Sequence, residues 1–351
     1  VILISAIILT VLGIYRLTHL PVDAFPDVTN TQVQIAAEAP GQSPEEVERF
    51  ITTPLEIAMT GLPGLTEMRS TNRSALSQIV LVFNDHTDLY FARQMVLERL
   101  IEARSILPPG VTPVLGPIST GLGEIYQYTL QGPNDSASTL LPNDELMNRR
   151  TIQDWVLRPI LRSIPGVADI NSMGGLERQF QVEPDPDKLR HYQITLKEVT
   201  HALALNNANS GGGSLVHGEE KYLIRGIGLI QAVEDIGNIV LREFEGIPIH
   251  IHDIAKVSVG SATRYGALVK DGTTEAVGGI VMMLRGENAR KVVKEVKKKI
   301  DEINLNQTLP DGLKIVPFYD RSFLVDGAIS NVKKILIEAI FLVVLVLQIF
   351  L

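Results

Sequence analysis

Two carboxylates and two histidines are the residues of this chain whose types and spacing best suit chemistry. Glu124 opens a strand, and Asp169 lies in the strand after the following helix. If those strands are neighbours, at the ~4.8 Å spacing of a sheet, the two carboxylates can share one divalent cation, and their mutual repulsion favours taking one up. Oxygen ligands suit Zn(II), Co(II) or Ni(II) better than Cu(I). The plainer alternative is a pair of solvated sheet-edge acids. His250 and His252 stand two apart, which puts both on one face of a strand and is usable for metal; an exposed strand is the alternative. Met282 and Met283 are adjacent, so on a strand they point to opposite faces and cannot converge on one ion. Gly211, Gly212 and Gly213 lack the following Lys-Ser/Thr of a phosphate loop and read as a flexible hairpin tip. Gly121-Leu122-Gly123 lacks the third glycine of a dinucleotide site. No catalytic residue and no bound cofactor is expected.

Composition narrows the partners. The chain has 351 residues, 32 Lys+Arg against 40 Asp+Glu and a formal net charge of −8. Phosphate affinity needs clustered cations, so nucleic acid is not an expected partner. There is no cysteine, which removes disulfides, thiolate metal sites, iron–sulfur clusters and cysteine nucleophiles together. Any metal must use His, Met, Asp or Glu. Lys291, Lys294, Lys297, Lys298 and Lys299 flank Val292, Val293, Val296 and Ile300 at helical spacing, the pattern of an amphipathic surface helix rather than a binding patch.

The elements that must position these residues follow from hydrophobic patterning. Residues 1–14 are apolar apart from Ser5, Thr10 and Gly13, and 335–351 are apolar except for Glu338 and Gln348. Both runs read as membrane helices that the chain's first and last residues cut partway, and 16–21 offers no small-residue cleavage site for a signal peptide. The expected topology is helix, large extramembrane region, helix. Lys333 and Lys334 leave the side undecided, because a long segment translocates largely regardless of flanking charge. Glu338, inside an apolar run, either handles protons or reaches the interface.

Between the runs the chain repeats itself. Residues 31–37 alternate as a strand, and Ser43-Pro44-Glu45-Glu46 starts a helix with a hydroxyl cap, a first-turn proline and a glutamate three after the cap. That helix stops at Leu62-Pro63-Gly64-Leu65, ahead of strands at 67–71 and 77–83. A second helix, 89–107, stops at Leu107-Pro108-Pro109-Gly110-Val111 before a strand at 113–115. The order βαββαβ returns as strand 124–130, helix 143–163, stop Ile164-Pro165-Gly166-Val167 and strand 168–172. After a gap come strands 267–270 and 276–283, helix 289–303, stop Leu309-Pro310-Asp311-Gly312-Leu313 and strand 314–317. Each copy reads as a ferredoxin-like split-βαβ unit, a four-stranded sheet covered on one face by two helices. The gap is a strand-rich inserted domain.

At this point the residues carry a likeness. Pro21-Val22-Asp23-Ala24-Phe25-Pro26-Asp27-Val28-Thr29-Asn30-Thr31-Gln32-Val33-Gln34 resembles the segment after the first membrane helix of heavy-metal efflux pumps of the resistance-nodulation-division superfamily. Further matches are Gly61-Leu62-Pro63-Gly64, Asp88-Leu89-Tyr90-Phe91-Ala92-Arg93-Gln94, Gly116-Pro117-Ile118-Ser119-Thr120-Gly121-Leu122-Gly123-Glu124-Ile125-Tyr126, Gln153-Asp154-Trp155 and Pro317-Phe318-Tyr319-Asp320-Arg321. The resemblance implies an α+β membrane protein fragment, the N-terminal third of such a pump. It would hold a first membrane helix at 1–19, a porter subdomain at 28–117, a second at 118–175 and 262–322, a docking subdomain inserted at 176–261, and a second membrane helix at 331–351. It also implies a proton-driven antiporter of the bacterial inner membrane with its large loop in the periplasm. Such a pump is a homotrimer in membrane lipid that works with a periplasmic adaptor and an outer-membrane channel. Its cargo is a metal cation: Zn, Co, Ni, Cd or Cu/Ag. On that reading Glu124 and Asp169 belong to a periplasmic metal-entry site. A membrane-tethered sensory or binding ectodomain shares the same topology and stays open as the alternative.

Overall fold

Four stops of the form Leu/Ile-Pro-(x)-Gly-Leu/Val punctuate the chain, and each turns on a glycine in the left-handed region that side chains resist: Gly64, Gly110, Gly166 and Gly312, with φ of 76°, 89°, 89° and 68°. They are seen in a computed structural model that describes residues 4–5, 8, 12–13, 27–133, 135, 141–244, 246–264 and 266–350. The strands between them are β1 (Gln32–Glu38), β2 (Leu65–Arg73), β3 (Leu76–Phe83), β4 (Pro113–Leu115), β5 (Glu124–Gln131), β6 (Val167–Gly174), β7 (Arg178–Pro184), β8 (Ser210–His217), β9 (Glu220–Gly226), β10 (Val240–Phe244), β11 (Ile247–His250), β12 (Ala255–Ser261), β13 (Leu268–Lys270), β14 (Thr274–Met283) and β15 (Lys314–Asp320). The chain divides into two compact units, Val1–Asp135 with Gln153–Met173 and Gly278–Leu351, and Ser136–Ile152 with Gly174–Val277.

In the first unit the sheet order is β2-β3-β1-β4, the split-βαβ arrangement, with Ile35 opposite Ile79 and Ala36 opposite Val114. Val33, Ile35 and Ala37 alternate into its core. Val47, Ile51, Leu55 and Met59 meet them from one helix, and Ala92, Val96, Leu100 and Ala103 from the other. The capping box read from sequence is formed: Ser43 Oγ accepts from the Glu46 N–H, and Glu46 accepts from the Ser43 N–H at 2.8 Å. A π-helical turn, Glu48–Thr52, directly precedes Thr53-Pro54, and another, Gln153–Leu157, directly precedes Arg158-Pro159. Proline lacks the N–H of the helical ladder and its ring crowds the carbonyl four residues back, which a widened turn relieves.

The first unit also holds β15, β5, the end of β14 and β6 in that order. At its centre Tyr128 is fully buried, and its hydroxyl donates to Gln153 Oε1 at 3.0 Å. Gln153 Nε2 reaches Ser172 Oγ at 3.4 Å. Burial pushes the Tyr128 hydroxyl well above the usual tyrosine range. Gly279 keeps the spot clear, since a Cβ there would stand 2.5 Å from the Tyr128 hydroxyl and 2.8 Å from Gln153 Nε2.

In the second unit β7 pairs with β12, β10 with β11, β8 with β9, and β13 with the start of β14. Its core joins Ile194, Val199, Ile236, Ile239, Ile251 and Ile254. This unit takes in 136–152 as well as the expected insertion, and Arg150 Nη1 donates to Gly174 O at 2.8 Å within it. Every residue of β8 and β9 is exposed. The glycines expected at a flexible tip instead lie within β8, where the register breaks between Gly211 and Ser214, and the turn falls at Gly218. Glycine removes side-chain packing from a strand and so marks a bulge.

Of the expected membrane helix at 1–19 only Ile4, Ser5, Ile8, Leu12 and Gly13 are described, in helical backbone; the rest lies outside the described residues. Residues 321–350 form one helix, Arg321–Phe350. Among the described residues no helix is long and apolar enough to cross a membrane.

Candidate functional site

The two carboxylates lie near one end of one sheet but not on neighbouring strands. Glu124 begins β5, half-buried, and accepts a hydrogen bond from Gln127 Nε2 at 3.1 Å. Asp169 is on β6, where Arg158 donates to it from Nε at 3.3 Å and from Nη2 at 3.2 and 3.1 Å. The Ile170 N–H adds a bond at 2.8 Å, and Arg162 Nε lies 3.8 Å away. The expected adjacency is corrected: the order is β6-β14-β5-β15, because the third strand of a split-βαβ unit inserts between the first and the second. Two strand spacings hold the backbones about 10 Å apart. The end of β14 fills the interval, with Leu284 N–H donating to Gly166 O at 2.8 Å on one side and the Met283 carbonyl beside Gly123 on the other. Asp169 is neutralised by arginine, whereas among the described residues Glu124 is in no ion pair. One cation can be shared only if Arg158 lets go.

Glu124 adjoins a second arrangement that sequence reasoning missed. Asp320 ends β15, and its Oδ1 accepts from the Ser322 N–H at 2.9 Å and Ser322 Oγ at 2.7 Å, capping the helix Arg321–Phe350. Lys297, one of five lysines read as a solvated face, pairs with Asp320 and donates to Ser322 Oγ at 3.0 Å. Buried Arg321 donates to the Leu122 carbonyl, two residues before Glu124. Arg290 Nε meets Asp326 Oδ1 at 2.9 Å. Helix start, surface helix and the segment leading into β5 are thus tied at one joint. The Tyr126 hydroxyl, opposite Asp320 in register, is pushed up to about 12 by burial and by the charges of Asp320 and Asp301. A similar knot holds 27–30: Thr120 Oγ1 donates to Asp27 Oδ2 at 2.9 Å, and Arg285 caps the Thr29 and Asn30 carbonyls.

Burial alone would raise the Asp320 carboxyl, but the hydrogen bonds from Lys297 and Ser322, with the lysine charge, outweigh it and hold the group below its ordinary range. A lowered folded pKa stabilises above the unfolded value and ceases to do so as pH falls through the folded one. The stability gap between wild type and Asp320→Asn, followed by circular dichroism, should therefore narrow below about pH 4. A gap indifferent to pH would contradict this assignment.

The two histidines do come together, though not on a strand: His250 closes β11 and His252 sits in the helical turn Ile251–Ile254, their rings stacked with centroids 5.1 Å apart.

Comparison with known proteins places this architecture. The sequence profile of the AcrB/AcrD/AcrF family matches residues 1–351. The chain belongs to the AcrB/AcrD/AcrF family. Among its relatives in this family, Protein HelA of Legionella pneumophila is 47% identical over 351 residues, the match covering 100% of this chain and 33% of HelA. The cobalt-zinc-cadmium resistance protein CzcA of Cupriavidus metallidurans is 47% identical over 343 residues, 97% of this chain and 32% of CzcA. The cation efflux system protein CusA of Escherichia coli K12 is 38% identical over 351 residues, 100% of this chain and 33% of CusA. The crystal structure of a heavy metal efflux pump superposes with a TM-score of 0.87 at 36% identity, covering 100% of this chain and 34% of that one. This AcrB/AcrD/AcrF-type chain thus has the mixed α/β fold of that pump and spans about a third of the length of these relatives.

Proposed function

We propose that the chain is the N-terminal portion of a proton-driven efflux pump that exports heavy-metal cations across the bacterial cell envelope. The observation that carries this reading is likeness along the whole chain to metal-resistance pumps, 47% identical to CzcA and superposable on a pump structure with a TM-score of 0.87. On it, 28–117 is one porter subdomain, 118–175 with 262–322 the second, and 176–261 the docking subdomain. The protein acts in the inner membrane, its large loop in the periplasm. The runs 1–19 and 331–351 are its membrane helices. Support for the second is that Ile335, Leu336, Ile337, Phe341 and Phe350 are each at least 58% exposed, apolar surface that lipid would cover. The exposed hairpin β8–β9, with Leu215, Val216, Tyr222 and Leu223 bare, fits an arm that enters a neighbouring protomer of a trimer.

In this mechanism porter units rock as rigid bodies while membrane carboxylates load and release protons, and an adaptor and an outer-membrane channel receive the metal. The cargo is Zn, Co, Ni, Cd or Cu/Ag. Glu124 is the available carboxylate of the entry path, and Asp169 joins it as a second ligand when Arg158 moves away. Oxygen donors favour a divalent, borderline ion. The full-length protein expressed in a metal-sensitive strain should restore growth on Zn(II) or Co(II), while residues 1–351 alone should not. Growth unchanged by the full-length protein, with a metal-dependent change in transcription instead, would favour the tethered sensory ectodomain.

A further inference from the structure

The run Ile249-His250-Ile251-His252-Asp253-Ile254 alternates like a strand, but the chain leaves β11 at His250 and makes one helical turn. Ile249, Ile251 and Ile254 are 3%, 0% and 0% exposed and enter the core of the second unit. Their burial turns the three polar side chains between them outward together. Asp253 Oδ2 accepts from the His250 N–H at 2.8 Å, which sets the turn and the carboxylate with it.

The donor atoms then converge. His250 Nδ1 lies 3.6 Å from Asp253 Oδ2, His252 Nε2 lies 3.4 Å from Asp253 Oδ1, and one ligand atom from each residue falls within 4.8 Å of the others. Metal–donor bonds of about 2.0–2.2 Å in a tetrahedron put donors about 3.3–3.6 Å apart, and each imidazole nitrogen already stands at about that distance from one of the two Asp253 carboxylate oxygens. His252 is also oriented from behind. Its Nδ1 is 2.8 Å from the Gly237 carbonyl, which only accepts, so Nδ1 carries a proton and Nε2, facing Asp253, is the nitrogen left to bind a metal. Metal-binding histidines are held by this kind of outer hydrogen bond. The side chains of His250, His252 and Asp253 are 29%, 54% and 36% exposed, open to an entering ion.

We propose that His250, His252 and Asp253 form a divalent-cation site for an ion such as Zn(II), Co(II) or Ni(II), with water completing its coordination. Two neutral imidazoles and one carboxylate supply a single negative charge and a borderline donor set, suited to such an ion and not to a hard one such as Mg(II). Three protein ligands with open positions make a reversible site, distinct from Glu124 and Asp169.

Co(II) added to the purified full-length protein in detergent, followed by visible absorption, tests the assignment. Wild type should bind one equivalent more than His252→Ala and show tetrahedral bands that Zn(II) bleaches. His250→Gln should weaken the site at least about tenfold, the least that even an outer-shell change costs. On wild type, Zn(II) should protect His250 and His252 from diethylpyrocarbonate, read by mass spectrometry, which decides the matter if a variant fails to fold. Equal Co(II) stoichiometry in folded wild type and His252→Ala, or modification of both histidines unaffected by Zn(II), would overturn the site.

Discussion

Replacing Tyr128 with alanine is expected to lower the stability of the protein by about 3–5 kcal/mol, the usual cost of deleting a fully buried aromatic. Tyr128 is 0% exposed at the centre of its sheet. The substitution would also strand Gln153, itself 0% exposed, without the hydroxyl that donates to it at 3.0 Å. Tyr128→Phe keeps the ring and removes the donor, so it should cost only about 1–3 kcal/mol. Filling the space from the other side by Gly279→Ala should resemble overpacking, since the new Cβ would meet the Tyr128 hydroxyl at 2.5 Å. Thermal or denaturant unfolding followed by circular dichroism gives the order; equal losses for Ala and Phe would mean that the ring contributes nothing beyond its hydroxyl.

The second large effect is on transport, with little change in fold. Arg321→Ala removes the bond to the Leu122 carbonyl that ties the start of the Arg321–Phe350 helix to the segment leading into β5. A charge-assisted hydrogen bond contributes about 1.5–3 kcal/mol. If the joint transmits movement from membrane helix to porter, losing that much from the coupled step slows it roughly ten- to a hundredfold. Metal tolerance conferred by the full-length protein should fall accordingly while expression and native-gel mobility persist, because Asp320, Lys297 and the Arg290–Asp326 pair remain. Full tolerance with Arg321→Ala would mean that movement is transmitted elsewhere.

Much of this architecture is legible in local sequence, and the failures share a cause. The capping box at Ser43 and the four proline–glycine stops are local signals, and the elements they bound appear where expected. The interposition of β14 between β5 and β6 is a property of connection, not of any residue, so spacing along the chain misplaced Glu124 beside Asp169. The alternation around His250 and His252 reads as a strand because a helical turn also buries Ile251 and Ile254 three apart. Tyr128, Gln153 and Lys297 gave no signal of their roles, since a tyrosine in a strand, a glutamine in a helix and a lysine among lysines are all ordinary. Their partners come from distant sequence. Only the Gln153-Asp154-Trp155 and Tyr319-Asp320-Arg321 motifs, quoted for their likeness to a family, pointed near two of these places.

On the proposed function this chain is part of a proton-coupled exporter of metal cations. The most direct measurement is cation flux through the full-length protein reconstituted in proteoliposomes that hold a fluorescent Zn(II) indicator, with an imposed proton gradient. Zn(II) movement should depend on the gradient, stop when a protonophore collapses it, and weaken when Glu124 is replaced by Gln. Zn(II) flux absent under the gradient, or unchanged by its collapse, would contradict it.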